Sequence, residues 1–273
     1  MTEALRLGHI TYSNCFPVHA GILDGGLGGA GLRVVEGVPS QLNELLGSGE
    51  IDVAPSSSIA FARHAEHYGI MPELVIGSRG PVRSILFLSR RAPESLDGRV
   101  VAMPTASATS VVLLKILLRT RWGVAPRFTW FDQARDDPFD AGADAALFIG
   151  DVALREGLHP ALPFRFDLGQ VWWEQMGLPF AFAVWQVAGG SPEALGRLHR
   201  TLLASREYGE RNRAELAVRW GAHFGFAPPF LERYWRDLAF QLDPSMIEGL
   251  RAFYTLAAEI GEIPRVPELR WAV

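Results

Sequence analysis

Hydroxyl and amide side chains recur in this chain where an apolar run ends and a helical pattern begins. Thr11, Tyr12, Ser13 and Asn14 follow the run Leu5 to Ile10, and Ser56, Ser57 and Ser58 follow Ile51 to Ala54. Thr105, Ser107, Thr109 and Ser110 precede the amphipathic stretch Val111 to Arg119, and Asp151 follows Asp144 to Ile149. Ser84 is the one polar residue in the otherwise apolar part of Val82 to Leu88. Hydroxyls at a helix start can cap that helix, and the same geometry offers N–H groups and the positive end of the dipole to an anion. A run as rich in hydroxyls as 105–110 exceeds what one cap requires. The chemistry implied is the capture of a small anion by neutral hydrogen-bonding groups. For Ser84 the plain alternative is a core hydroxyl bonded to backbone.

Candidates for proton transfer or covalent attack are few. His9 lies in the first strand and His19 on the first helix, where a lone His is more often packed than basic. His64 and His67 stand three apart with no third ligand beside them, so no metal is expected. Cys15 is the only cysteine, so no intrachain disulfide forms, and without a partner base it reads as a small buried residue. Nucleophile elbow, phosphate loop and paired-carboxylate patterns are missing, and the glycines of 25–31 lack dinucleotide-loop spacing. By residue types alone the chain suits a solute receptor better than an enzyme. A receptor for import, however, would carry an export signal, which MTEALRLGHI does not resemble.

The elements that must position these groups alternate. Strands are expected at Leu5–Ile10, Leu32–Glu36, Ile51–Ala54, Leu74–Ser78, Val82–Leu88, Arg127–Phe131, Asp144–Ile149 and Phe180–Val187, with a further strand at LDGRVVAMP. Helices over Pro39–Leu46 and Val111–Arg119 lie between strands, which argues for parallel sheets with ligands at the strand ends. After Gly189 and Gly190 the apolar spacing is helical over Pro192–Arg206, Arg211–Phe224, Pro228–Leu238 and Ser245–Ile260, with a last strand at Leu269–Val273. The stretch Asp167 to Trp185 carries too much aromatic area to stay in water and reads as a return crossing between lobes. The expected fold class is therefore α/β, in two lobes around a central cleft joined by two crossover strands. Lobe I is expected over 1–88 plus 188–273, and lobe II over 89–187. Such lobes can close around a ligand.

Composition sets the outer bounds. With 273 residues, 48% of them hydrophobic, the chain can bury a substantial core. A net charge of −4 without a basic block argues against nucleic acid, and no stretch approaches the roughly 20 apolar residues of a membrane span. A soluble, cytoplasmic protein is expected; nothing fixes its oligomeric state.

Several segments in order resemble the chorismate dehydratase family. They are LGHITYSNCFPV, Ser56 to Arg63, Val82-Arg83-Ser84-Ile85, PTASATS at Pro104 to Ser110, Ile149-Gly150-Asp151 and DLGQVWWEQMGLPFAFAVW. The resemblance covers nearly the whole chain. It implies the two-lobed periplasmic-binding-protein-like type II fold and a cofactor-free lyase of the futalosine-dependent branch of menaquinone biosynthesis. That lyase removes water from chorismate to give 3-[(1-carboxyvinyl)oxy]benzoate. It further implies that Asn14 and Ser84 stand beside the reacting ring. The substrate's two carboxylates would be held by Ser56, Ser57, Thr105, Ser107 and Thr109, with Tyr12 and Asp151 also in the binding set. Since the cleft offers no evident base, a carboxylate of the substrate could take the proton. Whether Arg79 or Arg83 reaches the cleft is left open. Trp172, Phe180 and Phe182 are candidates for an apolar wall, with core packing as the alternative. Ile59, Ala60 and Met176 depart from the family's common residues. Two other readings compete: a cytoplasmic small-anion-binding module, and the 1,4-dihydroxy-6-naphthoate synthase of the same pathway, whose return strand is Gly-rich where this chain has PFAFAVW.

Overall fold

The computed structural model describes residues 4–29, 31–155 and 158–273. The first part of the chain alternates β1 (Leu5–Ile10), α1 (Phe16–Leu23), β2 (Leu32–Gly37), α2 (Pro39–Gly47), β3 (Val53–Ser57), α3 (Ser58–Arg63) and β4 (Gly69–Ser78). A second series follows: β5 (Ile85–Ser89), β6 (Val100–Pro104), α4 (Thr109–Thr120), β7 (Arg127–Phe131), β8 (Ala145–Ile149), α5 (Gly150–Ala153), β9 (Phe164–Asp167) and α6 (Leu168–Met176). The chain then returns through β10 (Phe180–Val187) to α7 (Pro192–Arg211), α8 (Arg213–Phe224), α9 (Pro228–Asp237), the two-residue β11 (Leu238–Ala239) and α10 (Pro244–Glu259).

These strands form two sheets, one lobe around each. The first has the order β11-β4-β10-β3-β1-β2 and the second β7-β6-β8-β5-β9. Strands β1, β2 and β3 run parallel, while β10 is antiparallel to both neighbours, β3 and β4. Every residue of β10 is buried, which explains its unbroken apolar run: a central strand covered on both faces shows no alternation. Helix α10 packs against it, and Phe180 meets Phe253 with ring centroids 5.0 Å apart. Full burial of such a side chain contributes about 1.5–3 kcal/mol.

Sheet membership moves the crossings. The expected cuts at 88/89 and 187/188 would put β5 with the first lobe and β10 with the second. Instead β5 pairs with β8 and β9 in the second sheet, and β10 pairs with β3 and β4 in the first. The chain therefore crosses in the turn Arg79 to Ser84, and returns through α6 and the turn Gly177 to Pro179. Boundaries shift accordingly. Strand β3 runs on through Ser56 and Ser57 because β10 pairs with both, so these hydroxyls lie on a strand and not in a helical first turn. Strand β5 starts only at Ile85, which leaves Ser84 in the turn. The expected terminal strand is reduced to a bridge between Trp271 and Ile70. Of the Gly-rich loop, Ala30 lies outside the described residues.

Candidate active site

The two lobes meet across a cleft lined from the first by Ile10, Tyr12, Asn14 and Ser57, and from the second by Ser107, Thr109, Ser110 and Gly150. Ile76, Ile85, Ile149 and Phe182 supply apolar wall. As the lobes stand, the free volume within this lining is about 50 Å³, well below the roughly 300–1,000 Å³ common for small-molecule sites. Helix α4 opens here, and Ser107 Oγ accepts the Ser110 N–H at 3.3 Å. The Asn14 side-chain oxygen is buried and has no hydrogen-bond partner. An orphan acceptor of this kind is costly unless something else fills it.

Three contacts tie the lobes together around the cleft. Asp151 accepts the Ser13 N–H at 3.1 Å on both carboxylate oxygens and the Ser13 hydroxyl at 2.5 Å. Burial raises the Asp151 pKa above the ordinary carboxylate value, with the Ser13 bonds pulling the other way. The Tyr12 ring lies on Gly150: a Cβ there would fall 2.8 Å from the ring, and Gly150 has φ +61°. Only glycine fits both conditions. Burial, and then the charge of Asp151, push the Tyr12 phenol up to about 12, while neighbouring Gln133 opposes the rise. Gln133 in turn bonds both the N–H and the carbonyl of Ile149, which fixes the strand end before Gly150. On the far side, Thr109 Oγ1 accepts the Ile59 N–H at 3.2 Å.

The first crossing is set by Asp167, the N-cap of α6. Its carboxylate accepts the N–H groups of Gly169 and Gln170 in its own helix, and those of Val82 at 3.0 Å and Arg83 at 2.6 Å in the other crossing. Gly169 permits this approach, since a Cβ would lie 2.6 Å from the Gly80 carbonyl and 2.7 Å from Ser78 Oγ. Arg83 is held at φ +64°, an unfavourable conformation for a residue with a side chain. Its guanidinium bonds Asp237 of α9 at 2.6 Å. Ser84 is thus presented by a turn whose geometry is dictated from three directions. The Ser84 carbonyl accepts the Gly150 N–H at 2.8 Å, linking the turn to the cleft floor.

Tyr12, Asn14, Ser57, Ser107 and Thr109 thus line one cleft; Ser84, buried in the turn just before Ile85, is not among the lining residues. Three expected ligands do not join them. Ser56 donates its hydroxyl to the Asn43 side chain and faces an outer groove, because strand alternation turns it away from Ser57. Thr105 is exposed and reaches only the Phe131 carbonyl, at 3.4 Å. Asp151 has both oxygens engaged by Ser13 and serves as a bridge between lobes. Neither arginine is a carboxylate clamp: Arg79 pairs with Asp243 and Ser245, and Arg83 with Asp237. Of the aromatic candidates, Phe182 lines the cleft, whereas Trp172 and Phe180 pack into the core against Phe253.

His9, Cys15 and His19 form a buried group whose ligand-type atoms all lie within 4.8 Å of one another. The hydrogen bonds assign it a different role. Trp185 donates its indole N–H to His19 Nε2 at 3.1 Å, so the His19 hydrogen sits on Nδ1 and is donated to His9 Nδ1 at 2.9 Å. A metal on Nδ1 of His19 would require a hydrogen on Nε2, facing the indole donor. The donors therefore fit a chain of neutral rings better than a metal. Burial is the main cause that lowers His9 to about 4 and His19 well below the usual value. Cys15 is likewise pushed up to about 12 by burial, which keeps it a thiol.

Comparison with known proteins bears on what this cleft is for. A family model described as "Menaquinone biosynthesis" matches residues 5–259. The chain belongs to this family. A chorismate dehydratase of Thermus thermophilus is 32% identical over 265 residues, covering 90% of this chain and 93% of that protein. Among solved structures, a structural-genomics target protein from Archaeoglobus fulgidus superposes with a TM-score of 0.78 at 19% identity, covering 95% of this chain and 98% of the other. The periplasmic aliphatic sulphonate binding protein of Escherichia coli superposes with a TM-score of 0.67 at 15% identity, covering 98% and 91%. These likenesses establish the periplasmic-binding-protein-like fold. Among the described residues no helix is long and apolar enough to cross a membrane.

The groups that sequence reasoning missed come from α9. Trp235 donates its indole N–H to the Ser13 carbonyl at 2.7 Å, and Tyr234 is fully buried with its hydroxyl toward Ser84. No local pattern marks them, because their partners lie 150 or more residues away. The apolar cleft wall was equally silent, since Ile10, Ile76 and Ile149 read as ordinary strand ends.

Proposed function

We propose that this protein is a hydro-lyase that converts chorismate to 3-[(1-carboxyvinyl)oxy]benzoate in menaquinone biosynthesis, acting as a cytoplasmic enzyme in the interlobe cleft. The observation that carries the reading is the 32% identity to a chorismate dehydratase across 90% of the chain. The site chemistry agrees with it. Chorismate as a dianion has a single hydrogen-bond donor, its C4 hydroxyl, and the cleft offers a buried amide oxygen on Asn14 with nothing to accept. Placing the one against the other orients the leaving group. The start of α4, with Ser107, Thr109 and Ser110, faces the same space and suits a carboxylate, as does Ser57 opposite.

In the reaction the C3–H and C4–O bonds break, the C3–C4 double bond completes an aromatic ring, and the proton and hydroxide leave as water. The groups at hand are an amide, hydroxyls and a bridged carboxylate, none of them free to act as base. We assign proton removal to the substrate's own enolpyruvyl carboxylate, held over C3 by the touching lobes, which then returns the proton to the departing hydroxide. Orientation of this intramolecular kind can supply about 7–11 kcal/mol of barrier reduction. Asn14 and Ser84 orient the ring and the leaving hydroxyl.

The test is direct. Purified protein incubated with chorismate should replace the cyclohexadiene absorbance with that of a substituted benzoate, of product mass 18 below the substrate (loss of one water). Calorimetric binding of chorismate without conversion would support a small-anion-binding module instead. Inert chorismate together with consumption of a cyclic futalosine derivative would support the naphthoate synthase.

A further inference from the structure

The hydroxyl of Tyr234 is fully buried and makes no hydrogen bond of good geometry, although the Ser84 hydroxyl lies beside it. Burying a hydroxyl without a formed partner costs stability, and the same ring without the hydroxyl would avoid that cost. Its neighbours place it with care. On α9, Asp237 holds Arg83, the residue before Ser84, and Trp235 holds the Ser13 carbonyl, next to Asn14. One turn of one helix therefore braces both turns that carry the proposed reacting groups. Ser84 Oγ itself has only a long contact of 3.4 Å to the Val82 carbonyl, so its proton is not firmly committed.

We propose that Tyr234 is a positioning residue for the dehydration: its phenol donates to Ser84 Oγ and so directs the Ser84 proton toward the substrate. The inference rests on the reading that Ser84 faces the reacting ring. Tyr234 does not touch the substrate and acts through Ser84. The bond forms when a ligand draws the Ser84 hydroxyl off the Val82 carbonyl.

Kinetics of Y234F, S84A and the double variant test this, with thermal unfolding of each. For Y234F the expected result is kcat about tenfold lower, equivalent to about 1.4 kcal/mol and the size of one neutral hydrogen bond, with KM within about twofold. Its melting temperature should be unchanged or higher, since no formed hydrogen bond is lost. Adding Y234F to S84A should cost nothing further. Equal fold-losses from Y234F in both backgrounds, or an unchanged kcat in Y234F, would overturn the role of Tyr234 while leaving that of Ser84 standing. An S84A variant of normal turnover would overturn the reading of Ser84, and this inference with it.

Discussion

Substituting Asp151 with Asn tests how the lobes are held together. The carboxylate accepts two donors from Ser13 across the cleft, the N–H and the hydroxyl. Hydrogen bonds to a charged group contribute about 1.5–3 kcal/mol each. The amide oxygen in the Oδ1 position can still accept both donors, but an N–H₂ replaces Oδ2 opposite the Ser13 N–H, and the bonds that remain lose their charge. Relief from burying the charge, the main cause that raises the Asp151 pKa, offsets part of the loss. A net weakening of lobe contact of at most about 1.5–3 kcal/mol follows, or up to roughly ten- to 150-fold in the ratio of touching to separated lobes. Small-angle scattering without ligand should show a larger radius of gyration, and kcat/KM for chorismate should fall by a similar factor where closure limits the reaction. Ser13→Ala, which removes only the hydroxyl donor, should act in the same direction, and the double variant should be less than additive. Unchanged scattering and unchanged kcat/KM in D151N would refute the bridge.

Further substitutions probe the parts that support the cleft. Gly150→Ala places a methyl group 2.8 Å from the Tyr12 ring at φ +61°, so KM should rise at least about tenfold with little change in far-ultraviolet circular dichroism. Asp167→Ala strips the N-cap of α6 and leaves the Val82 and Arg83 N–H groups without partners; a loss of about 2–4 kcal/mol in denaturant unfolding is expected. Asp52 is held below its ordinary pKa because its bonds to Arg6, together, outweigh the opposing effect of burial. Its stabilisation is therefore fully present above the unfolded carboxylate pKa of about 3.9 and is lost as pH falls through the lowered folded value. Asp52→Asn should flatten that part of the acid unfolding curve.

Local signals served the elements better than the partners of those elements. Strands β1 and β10 stand where their apolar runs place them, because continuous burial and bounding turns are local properties. Helix α6 was missed although Asp167 as N-cap and Gly177 in the left-handed conformation both mark it; the Trp pair and nearby Gly and Pro obscured the period. Which lobe β10 joins depends on pairing with β3, more than 120 residues earlier, and no pattern within the strand encodes that. The cleft shows the same division. Asn14 and Thr109 were visible as polar groups at helix starts, whereas alternation along β3 decides that Ser57 faces the cleft and Ser56 does not. Asp151 had the right position and another task, since its partner Ser13 lies on the opposite lobe.

The most direct test of the account is the Asn14→Ala variant, measured for both chorismate turnover and chorismate binding. The unpaired amide oxygen in the cleft is the group assigned to the leaving hydroxyl. If Asn14 holds the leaving hydroxyl, kcat falls by about a hundredfold or more, with the Kd from calorimetry within about threefold of the unsubstituted protein. Equal losses in binding and turnover, or normal turnover, would contradict it.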